Sequence, residues 1–140
     1  MAAVLGSLVG GSAAITTAWI TQRTQSKREM VLGELRKREM LYGEFISECS
    51  KLAIDALAHG MEKPETLWTA YALLNRIRLS ASQAVLTEGE KVLSQIADHY
   101  YSPNISLDEF RALVRSRDTD PLKPFGEACR TELKKLRAAG

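Results

Sequence analysis

The first 22 residues carry no charged side chain, and no other feature of this 140-residue chain limits its possible structures so strongly. From Met1 to Ile20 there is also no His, Asn, Gln or Pro. Twenty helical residues rise about 30 Å, the thickness of a bilayer's hydrocarbon core. Gly, Ala, Ser and Thr dilute the stretch, yet even a buried helix of a soluble bundle usually keeps a charged or strongly polar face, and this one has none. Trp19 falls near its end, where an indole commonly sits at headgroup level. A secretory signal peptide fits less well. No basic side chain precedes the apolar run, and Thr21-Gln22-Arg23 stands where a small-residue cleavage site would be needed. Residues 1–22 are therefore expected to form a transmembrane anchor. The rival expectation is a soluble helical protein whose N-terminal helix docks into an oligomer or a partner.

The net charge of +2 hides an uneven distribution. Between Arg23 and Glu39 there are six basic and three acidic residues, whereas residues 41–140 hold thirteen basic and fourteen acidic. Basic flanks stay in the cytoplasm. This predicts an inner-membrane protein with its N-terminus outside and its C-terminal domain in the cytoplasm. Arg23, Lys27, Arg28 and Lys37 are the expected contacts to the lipid surface, at about 1 kcal/mol each on an anionic leaflet. A nucleic-acid binder gathers its basic excess on the folded domain, so no nucleic acid is expected as a partner.

Within the apolar segment Gly6, Gly10, Ala14 and Ala18 recur every fourth residue. Small residues at i and i+4 share a helix face and let a second backbone approach closely, so this row predicts helix–helix association and a homo-oligomer.

Beyond the anchor the pattern is helical throughout, and no stretch alternates as a strand does. There is no proline before Pro64, and Glu, Lys, Arg, Leu, Met and Ala dominate from Gln22 to about Ala58, which allows one long helix running on from the span. Glu34 and Arg38 are a favourable pair four apart. Leu41, Phe45, Cys49, Leu52 and Ala56 follow at spacings of four and three, placing the start of the core near Met40. Pro64 opens a second helix with Leu67, Tyr71, Leu74, Ile77 and Ala81 inward, and a third runs from about Gln83 to Tyr101. Ser106 and Glu109 form a capping box ahead of a short helix bearing Leu107, Phe110, Leu113 and Val114. After Pro121 the last helix turns Leu122, Phe125, Cys129, Leu133 and Leu136 inward. The expected fold is all-α: an N-terminal transmembrane helix continuing into a long helix that packs into a bundle of four or five helices in the cytosol. The expected divisions are an anchor over 1–22, a basic juxtamembrane linker over 23–39 and the bundle over 40–140.

Little in the sequence offers catalysis. Cys49 and Cys129 have no CxxC partner and fall on apolar stripes, so they read as small core residues. His99 has no ligand-type residue three or four away, and His59 reads as a helix-end partner of Asp55. Paired carboxylates such as Asp108/Glu109 sit at helix starts, where capping accounts for them. Phosphate loops and nucleophile elbows are missing. No catalytic, metal-binding or cofactor-binding residue is assigned, and the chain is not expected to be an enzyme. Arg78, at the edge of the second helix's stripe, needs a carboxylate, and Glu48 on the preceding helix is the expected ion-pair partner.

The Gly-rich span, the Lys/Arg-rich linker, Leu41-Tyr42-Gly43-Glu44-Phe45-Ile46 and Arg76-Ile77-Arg78-Leu79 together resemble a group of bacterial single-span membrane proteins with a small cytosolic helical domain and no known activity. The resemblance implies an anchored bundle and no chemistry. The expected function is a membrane-anchored helical interaction or scaffold module, self-associating, whose protein partner the sequence does not identify.

Overall fold

A computed structural model describes residues 2–101, 106–115 and 120–140, with side chains from residue 14 onward apart from Phe110 and Leu113. Every element is helical: α1 (Ala2–Ala58), a 3-10 turn (Pro64–Leu67), α2 (Trp68–Ser80), α3 (Gln83–Tyr101), α4 (Leu107–Arg115) and α5 (Leu122–Ala139), with no strand among the described residues. The all-α expectation holds.

At 57 residues α1 is about 85 Å long. Its continuity follows from the sequence, since no proline interrupts it. It ends at His59-Gly60, where the His59 amide makes a last bond to the Asp55 carbonyl. Lys63 is extended, as a residue before proline tends to be, and Pro64 opens the 3-10 turn that leads into α2. Ser82 caps α3 by accepting the Val85 amide on its hydroxyl. Ser106 and Glu109 form the capping box of α4, each side chain taking the other's amide. Asp120 accepts the Leu122 amide and starts α5.

Only the C-terminal part of α1 belongs to the bundle. Leu41, Tyr42, Phe45, Cys49, Leu52 and Ala56 are buried in the core shared with α2, α3 and α5, and Leu35 is buried nearer the stalk, outside that cluster. The core therefore begins at Leu41, where the apolar stripe places it, beside the exposed Met40. α5 runs antiparallel to α1 and returns to this level: Gly140 lies against Val31, and Arg137 pairs with Glu39 at 2.9 Å. Phe125 fills the centre, tilted on Phe45 at 5.0 Å between centroids and edge-on to Tyr42 at 6.3 Å. Gly89 allows this packing, because a Cβ there would stand 3.0 Å from Leu74 and 3.3 Å from Phe125.

Two details of the expected stripes change. On α2 the buried positions are Ala70, Leu73, Leu74 and Ile77, whereas Tyr71 is about half exposed. Helix α2 faces α1 on one side and α3 on the other, and Tyr71 sits outside both contacts. On α4, Leu107 and Val114 are exposed, and Phe110 and Leu113 lie outside the described side chains. Among the described residues α4 adds nothing to the core.

Among the described residues no helix is long and apolar enough to cross a membrane. The expected span at 1–22 lies mostly outside the described side chains, which begin at Ala14.

Candidate functional site

From Ala14 to Met30 every described side chain is exposed. Ile15, Trp19 and Met30 are 72%, 60% and 75% accessible. This part of α1 projects from the bundle as a stalk, with none of the other described helices covering it. An isolated helix in water is marginal even when its residues favour helix, because packing supplies most helical stability. Thr21 and Thr24 return their hydroxyls to the carbonyls of Thr17 and Ile20, which satisfies the hydroxyls without strengthening the helix, while the Arg23 guanidinium lies 5.0 Å above the Trp19 ring and adds a local contact.

Of the association row, Ala14 and Ala18 are exposed on the stalk, and Gly6 and Gly10 lie outside the described side chains. Arg23, Lys27, Arg28 and Lys37 are all exposed, as a role at a charged surface requires.

Where the stalk enters the bundle, a polar cluster joins three elements. Glu132 of α5 is buried and carries three partners. The Tyr42 hydroxyl donates to its Oε2, while Arg38 pairs with its Oε1 at 2.9 Å and the Ser82 amide donates there at 2.5 Å. Arg38 in turn holds Glu34 at 2.9 Å, the pair that the four-residue spacing indicates. Burial, and then the bond to Glu132, push the Tyr42 phenol well above its ordinary range. Removing a charge from water is costly unless it is paired and hydrogen-bonded, and Glu132 meets that condition. The cluster clasps α1, the α2–α3 connection and α5 together. Sequence reading missed Glu132, although a signal was present: it continues the 125, 129, 132, 136 stripe of α5 as the one carboxylate on it.

At the other end of the bundle, Asp55 accepts the Tyr100 hydroxyl at 2.7 Å and pairs with His59 at 3.2 Å. Glu48 and Arg78 are not brought together. Arg78 pairs with Glu90 at 3.2 Å, Glu48 lies 4.0 Å from Lys51, and Glu44 takes Arg76 at 3.1 Å. Residues two apart on a helix point about 200° from each other. Arg76 thus meets α1, and Arg78 meets α3.

Cys49 and Cys129 are buried free thiols, and burial pushes each up to about 12, far from nucleophilic range. Among the described residues no group of His, Cys, Asp and Glu is placed to hold a metal. A cleft of about 230 Å³ opens between α1, α3 and α5 beside Val114, walled by Ile54, Leu57, Ile96, Leu122 and His99. The His99 Nδ1 lies 2.6 Å from the Gln95 carbonyl. Ser50, Gln95 and Asp120 also line the cleft, and the Ser50 hydroxyl donates to the Ile46 carbonyl at 2.7 Å.

No family model, curated protein or solved structure matches the chain. The likeness to bacterial single-span proteins gains nothing from these comparisons.

Proposed function

We propose that the chain is a membrane-anchored helical interaction module, with residues 1–22 in the bilayer and the bundle presented to the cytoplasm as a non-catalytic, self-associating scaffold. One observation carries this reading. The uncharged N-terminal segment and the bundle are parts of one helix, and from Ala14 to Met30 every side chain of that helix is exposed. Such a helix needs an environment that replaces packing, and a bilayer supplies one by satisfying the apolar side chains while the helix satisfies its own backbone. The exposed basic residues from Arg23 onward support the orientation, and the Gly6/Gly10/Ala14/Ala18 row supports pairing of anchors.

A second reading has its own support, because no described helix is long and apolar enough to span a membrane. On that reading the stalk inserts between helices of a partner or of another copy.

Carbonate extraction of the full chain, with Gly10→Arg beside it, separates the two. A cation at the centre of a spanning helix costs about 2.5–3.5 kcal/mol of insertion. The anchor reading expects the natural chain to stay in the membrane pellet and the variant to be depleted from it. A natural chain that is released by carbonate and elutes as a soluble oligomer sinks the anchor and favours the docked helix.

A further inference from the structure

We propose that the C-terminal turns of α5, through Lys134, Lys135 and Arg137, form a second contact with the anionic lipid surface of the membrane that holds α1, so that the bundle leans onto the bilayer on its α5 side. This inference rests on the anchor reading above.

The fold brings two distant basic segments to one end of the molecule. Contacts of Gly140 with Val31, Arg137 with Glu39 and Glu132 with Arg38 place the end of α5 beside the base of the stalk. Residues 1–39 and 130–140 together contain ten basic and four acidic side chains, whereas residues 40–129 contain nine basic and thirteen acidic. A chain of +2 overall thus carries its positive charge at the stalk end and the opposite sign elsewhere. Basic residues in a last helical turn also complement the helix dipole. That accounts for a cation near the end of α5, but not for the reversal of sign along the molecule.

Three of the four acids at this end are already engaged: Glu34 and Glu132 with Arg38, and Glu39 with Arg137. Lys134 and Lys135 are exposed.

The contact requires the bundle to lean toward the surface. Eleven residues separate Ile20 from Val31, a helical rise of about 16 Å. The headgroup layer takes up about 5–8 Å of that. Gly140 then stands about 8–11 Å from the lipid surface, and Lys135 and Lys134, five and six positions earlier on the antiparallel α5, stand about 7–9 Å farther out, roughly two physiological Debye lengths in all. Attraction at that range is largely screened for an upright stalk. A tilt of α1 toward α5, within the range of about 0–40° that transmembrane helices adopt, and the reach of the long lysine stems shorten the gap.

The test uses the full chain in nanodiscs of phosphatidylcholine, alone or with phosphatidylserine, carrying a fluorophore at Ala138→Cys and a quencher confined to the headgroups. Cys49 and Cys129 are buried, which keeps the label on the introduced thiol. Quenching should be stronger in the anionic discs and should be lost in high salt. The variant Lys134→Gln/Lys135→Gln should lower the ratio of docked to upright bundle by about thirtyfold, the factor expected from two basic residues at an anionic leaflet. Equal quenching in neutral and anionic discs, by a chain that still resists carbonate, overturns this second contact and leaves the anchor standing. Release of the natural chain by carbonate overturns both.

Discussion

The two halves of α1 share one backbone geometry and differ in everything that maintains it. Between Leu41 and Ala56 one face is buried at every turn and meets α2, α3 and α5. Between Ala14 and Met30 no face is buried at all. The first kind of helix is specified by periodicity: apolar residues at spacings of three and four select a face and pack it. The second kind has propensity and continuity alone, and those leave open what surrounds it. The contrast teaches that an uninterrupted helix can pass from one physical environment to another without any change of local structure, and that the boundary is marked by charge rather than by a break.

The largest effect that would break this contrast lies in the core. Phe45→Ala removes a fully buried ring packed at a tilt on Phe125 and should cost about 3–5 kcal/mol. Ile15→Ala on the stalk should change the same transition by no more than about 0.5 kcal/mol. Urea unfolding of the full chain in detergent, followed by circular dichroism, measures both. Comparable losses would mean that the stalk folds back onto the bundle and that the two halves are not distinct.

A smaller effect probes the joint between them. Glu132→Gln keeps the volume and an acceptor for Tyr42, but gives up the charge that Arg38 faces. The expected cost is about 2 kcal/mol in the same unfolding experiment. A loss below about 0.5 kcal/mol would show that the clasp is solvated and that the bundle closes without it.

The smallest expected effect concerns the stalk side alone. Gly10→Leu should weaken association of anchors by about 1 kcal/mol, and Leu8→Ala, off the small-residue row, should change it little. Equal effects in a transmembrane-association assay would reduce the Gly6/Gly10/Ala14/Ala18 row to composition. Any oligomer would then have to be held by the bundle.

The helices were legible in the sequence because each carries its own start and stop: Pro64, Ser106 with Glu109, Asp120 with Pro121, and the Gly60 break. The apolar stripes of α3 and α5 were legible for the same local reason. What could not be read was pairing across helices. The side chain opposite Arg78 depends on how α2 rolls between two neighbours, and a roll of half a turn exchanges Arg76 for Arg78. Glu132 was hidden because a lone carboxylate on an apolar stripe reads as an interruption until Tyr42, Arg38 and Ser82 are seen around it.

The clasp also bears on how the protein is made. Tyr42 and Glu132 are 90 positions apart, and at about 5–20 residues per second a ribosome needs about 5–20 s to synthesise what lies between them. During that interval the apolar segment has already emerged, while the face of α1 that awaits Phe125 has nothing to cover it. The apolar segment therefore leaves the ribosome before the bundle can close. Any factor that meets the nascent chain at that stage meets an open amphipathic helix instead of the finished domain.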